Sequence, residues 1–368
     1  MFYKAKINAL SWFFIFVISV SLKGDSIKKL YKFKGEVNAQ TLGLTVNQIG
    51  FYSPQGHFFT QSWTFIYYLD NGGGGYIQFS YARVGFIFKQ LLVHHSHYTN
   101  EGKLVYRKDI MSVDKLNWEP LIPALKMGES SWSGFYPDFK VRAYLKDLKA
   151  DLTFHCLVPG WRPGKGPAHY GSPDGPWYDL VVMIPWAEVS GTIEAEGKKK
   201  KVKGFGYCDH NVQTIWFSTQ CNRIYALRSF AKNWAIHFLD YQSTPEYGGE
   251  HLRWLIVMNK DKILFATDKY EISFSDWKKS KNYNIPSRAK IKVSQSGFQL
   301  EGEIIGKKLV EILDINSQLP SWIAPAVNKL IRQPVLTRQI AEIKWHIKTK
   351  HKTKTIKAEG IFEYTIVE

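Results

Sequence analysis

Short apolar runs, interrupted by polar turns and with little helical periodicity, recur through most of this chain. The stretches are rich in β-branched and aromatic residues and are bounded by Gly, Asn, Asp and Pro. That is the pattern of β-strands, whose successive side chains face opposite sides of a sheet. Residues 65–69 (FIYYL), 76–81 (YIQFSY), 180–184 (LVVMI) and 252–257 (LRWLIV) are the clearest. A glycine-rich turn at 70–75 joins the first pair, and residues 259–262 (NKDK) end the last. Helical periodicity is confined to residues 317–333, where Pro325 suits a first turn. The pattern predicts an all-β protein of antiparallel sandwich or barrel sheets, with at most one or two short helices.

Proline and glycine concentrate at residues 159–167 (PGWRPGKGP) and again at 171–176 (GSPDGP). Such density cannot continue a sheet. Roughly equal halves lie on either side, each long enough for a barrel of about eight strands. The expectation is two all-β domains, residues 22–170 and 171–368, joined here. A single irregular sandwich with a long functional loop is the alternative.

Composition adds to this picture. Of 368 residues, 45% are hydrophobic and 15% aromatic, which is enough apolar material for a large core or two smaller ones. The net charge of +17 raises the question of a nucleic-acid partner. The lysines, however, are scattered along strand-like segments or gathered in turns at 198–201 and 278–281. No nucleic-acid-binding motif accompanies them, so the expectation is no nucleic acid and solvated turns, with peripheral contact to an anionic membrane as a lesser option.

The N-terminus stands apart. A basic start at residues 1–6 precedes the uncharged apolar run 12–20 (WFFIFVISV), and Ser19 and Ser21 have the spacing of a cleavage site. This reads as a signal peptide over residues 1–21 and an exported, periplasmic or secreted, protein; an uncleaved membrane anchor is the alternative.

Three cysteines, Cys156, Cys208 and Cys221, cannot all pair within one chain, although Cys208 and Cys221 could meet across a hairpin. His94, His95 and His97 look like metal ligands. On a strand, however, His94 faces away from the other two, and two ligands hold zinc weakly, so no metal is expected. The glycines at 72–75 lack the Lys-Ser/Thr of a phosphate loop, and no Gly-x-Ser-x-Gly elbow is present. No cofactor is expected.

Residues 204–211 (GFGYCDHN) are the densest chemistry in the chain. As a strand, they place Tyr207, Asp209 and Asn211 on one face and Cys208 and His210 on the other. Facing an apolar cavity, the carboxyl would be partly protonated by desolvation and could protonate an alkene or polarise a carbonyl, with Tyr207 holding or relaying the proton. Equally, the Asp-His-Asn run could tie down loops through hydrogen bonds, with His210 and Asn211 as clamps between the two halves.

Together with residues 177–185 (WYDLVVMIP) and 189–193 (VSGTI), this motif forms an ordered series. It resembles the lipocalin-like superfamily of carotenoid 1,2-hydratases (hydroxyneurosporene synthase-like proteins), AttH proteins and Diels–Alderase-type cyclases. Residues 62–65 (SWTF) and 75–85 (GYIQFSYARVG) are also similar, more loosely, to Svf1-type proteins. The resemblance implies two packed lipocalin-like barrels, the second opening with the series. It also implies that Trp177, Tyr207 and Asp209 match the hydratase residues, Trp177 steadying a developing cation with its π-face. Gly175 stands where hydratases carry His, and Val212 where the family has Gly.

Two functional classes follow. One is a protein that binds a hydrophobic small molecule of isoprenoid, lipid or polyketide type and acts on it as an acid-assisted hydratase, isomerase or cyclase. The other is a non-catalytic lipid carrier or envelope accessory protein.

Overall fold

The computed structural model describes residues 27–314 and 334–367, apart from positions 42, 86–87, 122, 281–282, 296 and 351. The expected signal peptide (1–21) and the expected helix (317–333) lie outside the described residues. Within them the protein is all-β, with two one-turn α-helices, Val46–Ile49 and Phe217–Gln220.

The strands form two antiparallel sheets, one of thirteen strands and one of nine, in a lipocalin-like arrangement. The first sheet curls until distant strands meet. Trp63, on strand Phe58–Leu69, lies 6.0 Å ring to ring from Trp132 on Ser130–Phe135, although four strands separate them in the sheet order. These rings, with Phe65, Phe79 and Phe154, fill one core. The second sheet curls likewise, stacking Tyr225 on Phe274 at 3.8 Å and Phe265 on Phe298 at 3.9 Å. Curling a sheet in this way buries the inward-facing aromatic rings against one another, while each sheet keeps two edge strands.

A third apolar cluster lies between the barrels. Ile66, Tyr76, Leu180 and Tyr207 from the outer face of the first sheet pack with Ala226, Leu239, Trp254 and Ile361 of the second.

The domain boundary differs from the expectation at 170/171. Strands Trp177–Ala195 and Lys198–Gln213 belong to the first sheet, between Leu148–Val158 and Phe58–Leu69; they do not open the second. The Pro/Gly-rich stretch is a loop that returns to its own sheet. Trp161 and Val182 exchange backbone hydrogen bonds at 2.8 and 2.7 Å, and Ala168–Tyr170 pairs with Leu30–Tyr31. The sheets change over at the turn containing Phe217–Gln220, after which Cys221–Ala231 begins the second barrel. All three cysteines are free and buried, so Cys208 and Cys221 do not pair.

Candidate functional site

Strand Lys198–Gln213 carries the motif, and the period of two holds along it. Cys208 points into the first-barrel core and Tyr207 into the cluster between the barrels. Gly206 shares the inward face. A Cβ there would collide with the ring of Phe154 and with Val189, so the strand has no side chain where Phe154 packs.

On the inward face, the His210 ring stacks on Trp63 at 4.4 Å and its Nδ1 pairs with the Gln48 carbonyl at 3.1 Å. Burial pushes its pKa down to about 3, so it stays neutral. It is a clamp, but within the first barrel and not between the two. His95 and His97 also sit inside this barrel, sharing the Tyr67 hydroxyl at 2.7 and 3.1 Å.

The outward face meets the second barrel, not a barrel interior. Asn211 donates its amide to Asp209 Oδ1 at 2.6 Å and accepts the Tyr178 hydroxyl at 2.7 Å. Opposite, Arg228 on Cys221–Ala231 lies over the Tyr207 ring at 4.2 Å. Its Nη2 donates to the Tyr207 hydroxyl and to Asp209 Oδ2, both at 3.3 Å. Asp209 is 5% exposed. Burial holds its carboxyl above the usual range, even though the Arg228 charge and a hydrogen bond from Tyr207 pull the other way. Burial likewise keeps the Tyr207 phenol neutral.

Trp177 is not brought to this group. It packs against the first-barrel core, and its backbone pairs with Thr214. Its neighbour Tyr178 takes the outward position, so the aromatic ring beside the Asp209–Asn211 pair comes one residue later than the resemblance implied.

Asp209 and Asn211 line a cavity of about 400 Å³ between the barrels, within the range of small-molecule sites. The same cavity wall holds a second buried charge group, whose Glu363 is near enough to act on both Asp209 and Arg228. Arg338 pairs with Glu311 and, at 3.0 Å, with Glu363, and lies 3.3 Å over the Tyr76 ring. Ser96 donates to Glu311 at 2.6 Å. Burial raises the Glu311 carboxyl, but Arg338 and Ser96 outweigh it and hold the group below its usual range.

Sequence reasoning missed Arg228, Arg338 and Tyr178. The signal for the arginines was a charged residue on the apolar face of an alternating run, in residues 224–231 (IYALRSFA) and 335–341 (VLTRQIA).

The profile of the Svf1 family matches residues 31–368. The chain belongs to the Svf1 family. No curated protein matches it by sequence. Among solved structures, this Svf1-family chain is similar to an AttH from Nitrosomonas europaea, at 12% identity and a TM-score of 0.61, covering 89% of this chain and 98% of that one. It is similar to CghA with Sch210972, at 10% identity and a TM-score of 0.61, covering 93% and 99%. It is also similar to kievitone hydratase from Nectria haematococca, at 12% identity and a TM-score of 0.51, covering 92% and 98%. At such identities the likeness establishes only the lipocalin-like fold that this Svf1-family chain shares with these proteins.

Proposed function

We propose that this protein binds an apolar small molecule, of isoprenoid, lipid or polyketide type, in the cavity between its barrels, and that Asp209 acts on it as an acid. One observation carries the reading: a buried carboxyl, held above its usual range, forms part of a cavity wall. In its protonated form Asp209 gives a proton to an alkene or a carbonyl. Arg228 steadies the carboxylate left behind, and the ring of Tyr178, on the cavity wall, borders the cation that forms. Loss of a neighbouring proton to the Asp209 carboxylate completes an isomerisation; capture of water, or internal capture by a second alkene, completes a hydration or a cyclisation once the resulting cation has returned a proton to that carboxylate. The fold shared with kievitone hydratase supports this class of chemistry.

The test is Asp209→Asn. Conversion of a bound substrate should be abolished while ligand binding and unfolding midpoint stay close to wild type. An unfolded variant would instead make the carboxyl a structural clamp. A second reading, the non-catalytic carrier, draws support from the hydrogen bonds that occupy both Asp209 oxygens. Organic extraction of the purified protein followed by mass spectrometry separates the two, because a carrier yields an unmodified lipid in stoichiometric amount. The reading includes export, on the basic start and apolar run of residues 1–21. N-terminal sequencing of the mature protein tests that part.

A further inference from the structure

The wall that the first barrel contributes to the cavity is not uniformly apolar. Cross-strand register aligns Asp209 with Thr64, Thr64 with Gln78, and Gln78 with His94. All four line the cavity, and Gln78 donates to Thr64 Oγ1 at 3.0 Å. With adjacent strands about 4.8 Å apart, His94 lies about 14 Å from Asp209 along this polar row.

His94 ends the row in an unusual state. It is 2% exposed, and neither ring nitrogen has a hydrogen-bond partner among the described residues. Beside it on the same wall, Tyr76 is 1% exposed and its hydroxyl also has none. Buried polar groups are ordinarily satisfied, and two such groups together on a cavity wall are a place where a ligand supplies the missing partners.

Charge decides what kind of group fits. Nearby Arg338 is already committed to Glu311 and Glu363, and Arg228 to Asp209. The remaining cation of the lining, Arg83, is half-buried and donates to the Gly85 carbonyl. An acidic group beside His94 would therefore face the carboxylates Glu311 and Glu363, whose cation Arg338 is already paired with both. Burial brings the His94 pKa down to about 4, which leaves a neutral imidazole with one donor and one acceptor. A hydroxyl, itself donor and acceptor, complements that ring and the Tyr76 phenol.

We propose that His94 and Tyr76 form a subsite for a hydroxyl group, so that the ligand is an uncharged, hydroxylated chain and not a bare hydrocarbon or an acid. This rests on the reading of the inter-barrel cavity as the ligand site. A chain held at His94 presents to Asp209 the part about 14 Å from its hydroxyl.

The experiment uses the full chain with two matched probes, dodecan-1-ol and dodecyl methyl ether, followed by tryptophan fluorescence and by the imidazole nitrogen NMR signals of His94. The alcohol should bind more tightly than the ether and should move the His94 signals. Tyr76→Phe, which keeps the ring over Arg338, and His94→Phe should each weaken the alcohol about tenfold while changing the ether less than about twofold. Ser80→Trp, which fills the cavity from the same wall, should abolish binding of both. Should the two probes bind and respond to Ser80→Trp but lose affinity equally in Tyr76→Phe, with the His94 signals unmoved, the subsite is wrong and the cavity reading stands. If neither probe binds the wild type, or Ser80→Trp has no effect on binding, the cavity reading falls and the subsite with it. A His94→Phe protein that fails to fold leaves the decision to Tyr76→Phe and the His94 signals.

Discussion

The two buried arginines between the barrels are built on one plan and differ in how firmly they are held. Each lies over a tyrosine ring of the first sheet, Arg228 over Tyr207 and Arg338 over Tyr76. Arg338 pairs with two carboxylates, one of them further anchored by Ser96. Arg228 pairs with one carboxylate, Asp209, through a single bond of 3.3 Å, and its Nε has no hydrogen-bond partner among the described residues. The first group is saturated, so its carboxylate Glu311 is held below the usual range; the second is under-committed, and burial keeps Asp209 above it. Two similar charge groups thus differ in how fully their buried carboxyls are compensated.

That contrast can be broken most severely at Arg338. Arg338→Met strands Glu311 and Glu363 in the interface and should cost about 3–5 kcal/mol in urea unfolding. Arg228→Met removes a ring contact and one bonded partner of Asp209, a carboxyl that can neutralise itself by taking a proton. It should cost less, about 1–3 kcal/mol. A loss equal to that of Arg338→Met would erase the distinction.

Acid should bear on the whole fold. Burial lowers the pKa of His94 to about 4 and of His210 and His237 to about 3, from 6.5. Below pH 6.5 the unfolded chain takes up protons that these folded sites refuse, so stability falls as pH drops from 6.5 toward 4. Asp209, raised above 3.8, works in the opposite sense: its contribution is present below that value and is lost as pH rises through the folded pKa. Urea midpoints measured from pH 7.5 down to 4.5 should therefore decline, and a midpoint that rises would contradict the neutral, buried histidines. The smallest effect is expected at Trp177. Trp177→Phe should change stability by about 1 kcal/mol or less and leave ligand affinity unaltered, whereas Tyr178→Phe, which frees Asn211, should alter affinity.

How much of this was legible beforehand follows from the range of each interaction. The strand at 204–211 and the sorting of its side chains were readable because alternation is a local property. The arginines were not, because Arg228 meets Asp209 across the two sheets and Arg338 meets Glu311 across a long connection. Trp177 was assigned to the site by resemblance. The register runs unbroken from Val182 opposite Asp209 to Tyr178 opposite Gln213, which puts Tyr178 and not Trp177 on the outward face; that cross-strand pairing is not a local property of either segment. The boundary at 170 was misread because proline and glycine mark a loop without saying which sheet the chain rejoins.

The return of that loop sets an order of events for the nascent chain. Strand Phe58–Leu69 waits for residues 204–213 before its second edge is paired. Until then the ribosome has exposed an incomplete sheet, with an open edge rich in aromatic residues and a long closure still to make. A fragment ending at residue 170 should accordingly aggregate during synthesis. Assembly of the first barrel is thus timed by the arrival of the same strand that carries Asp209.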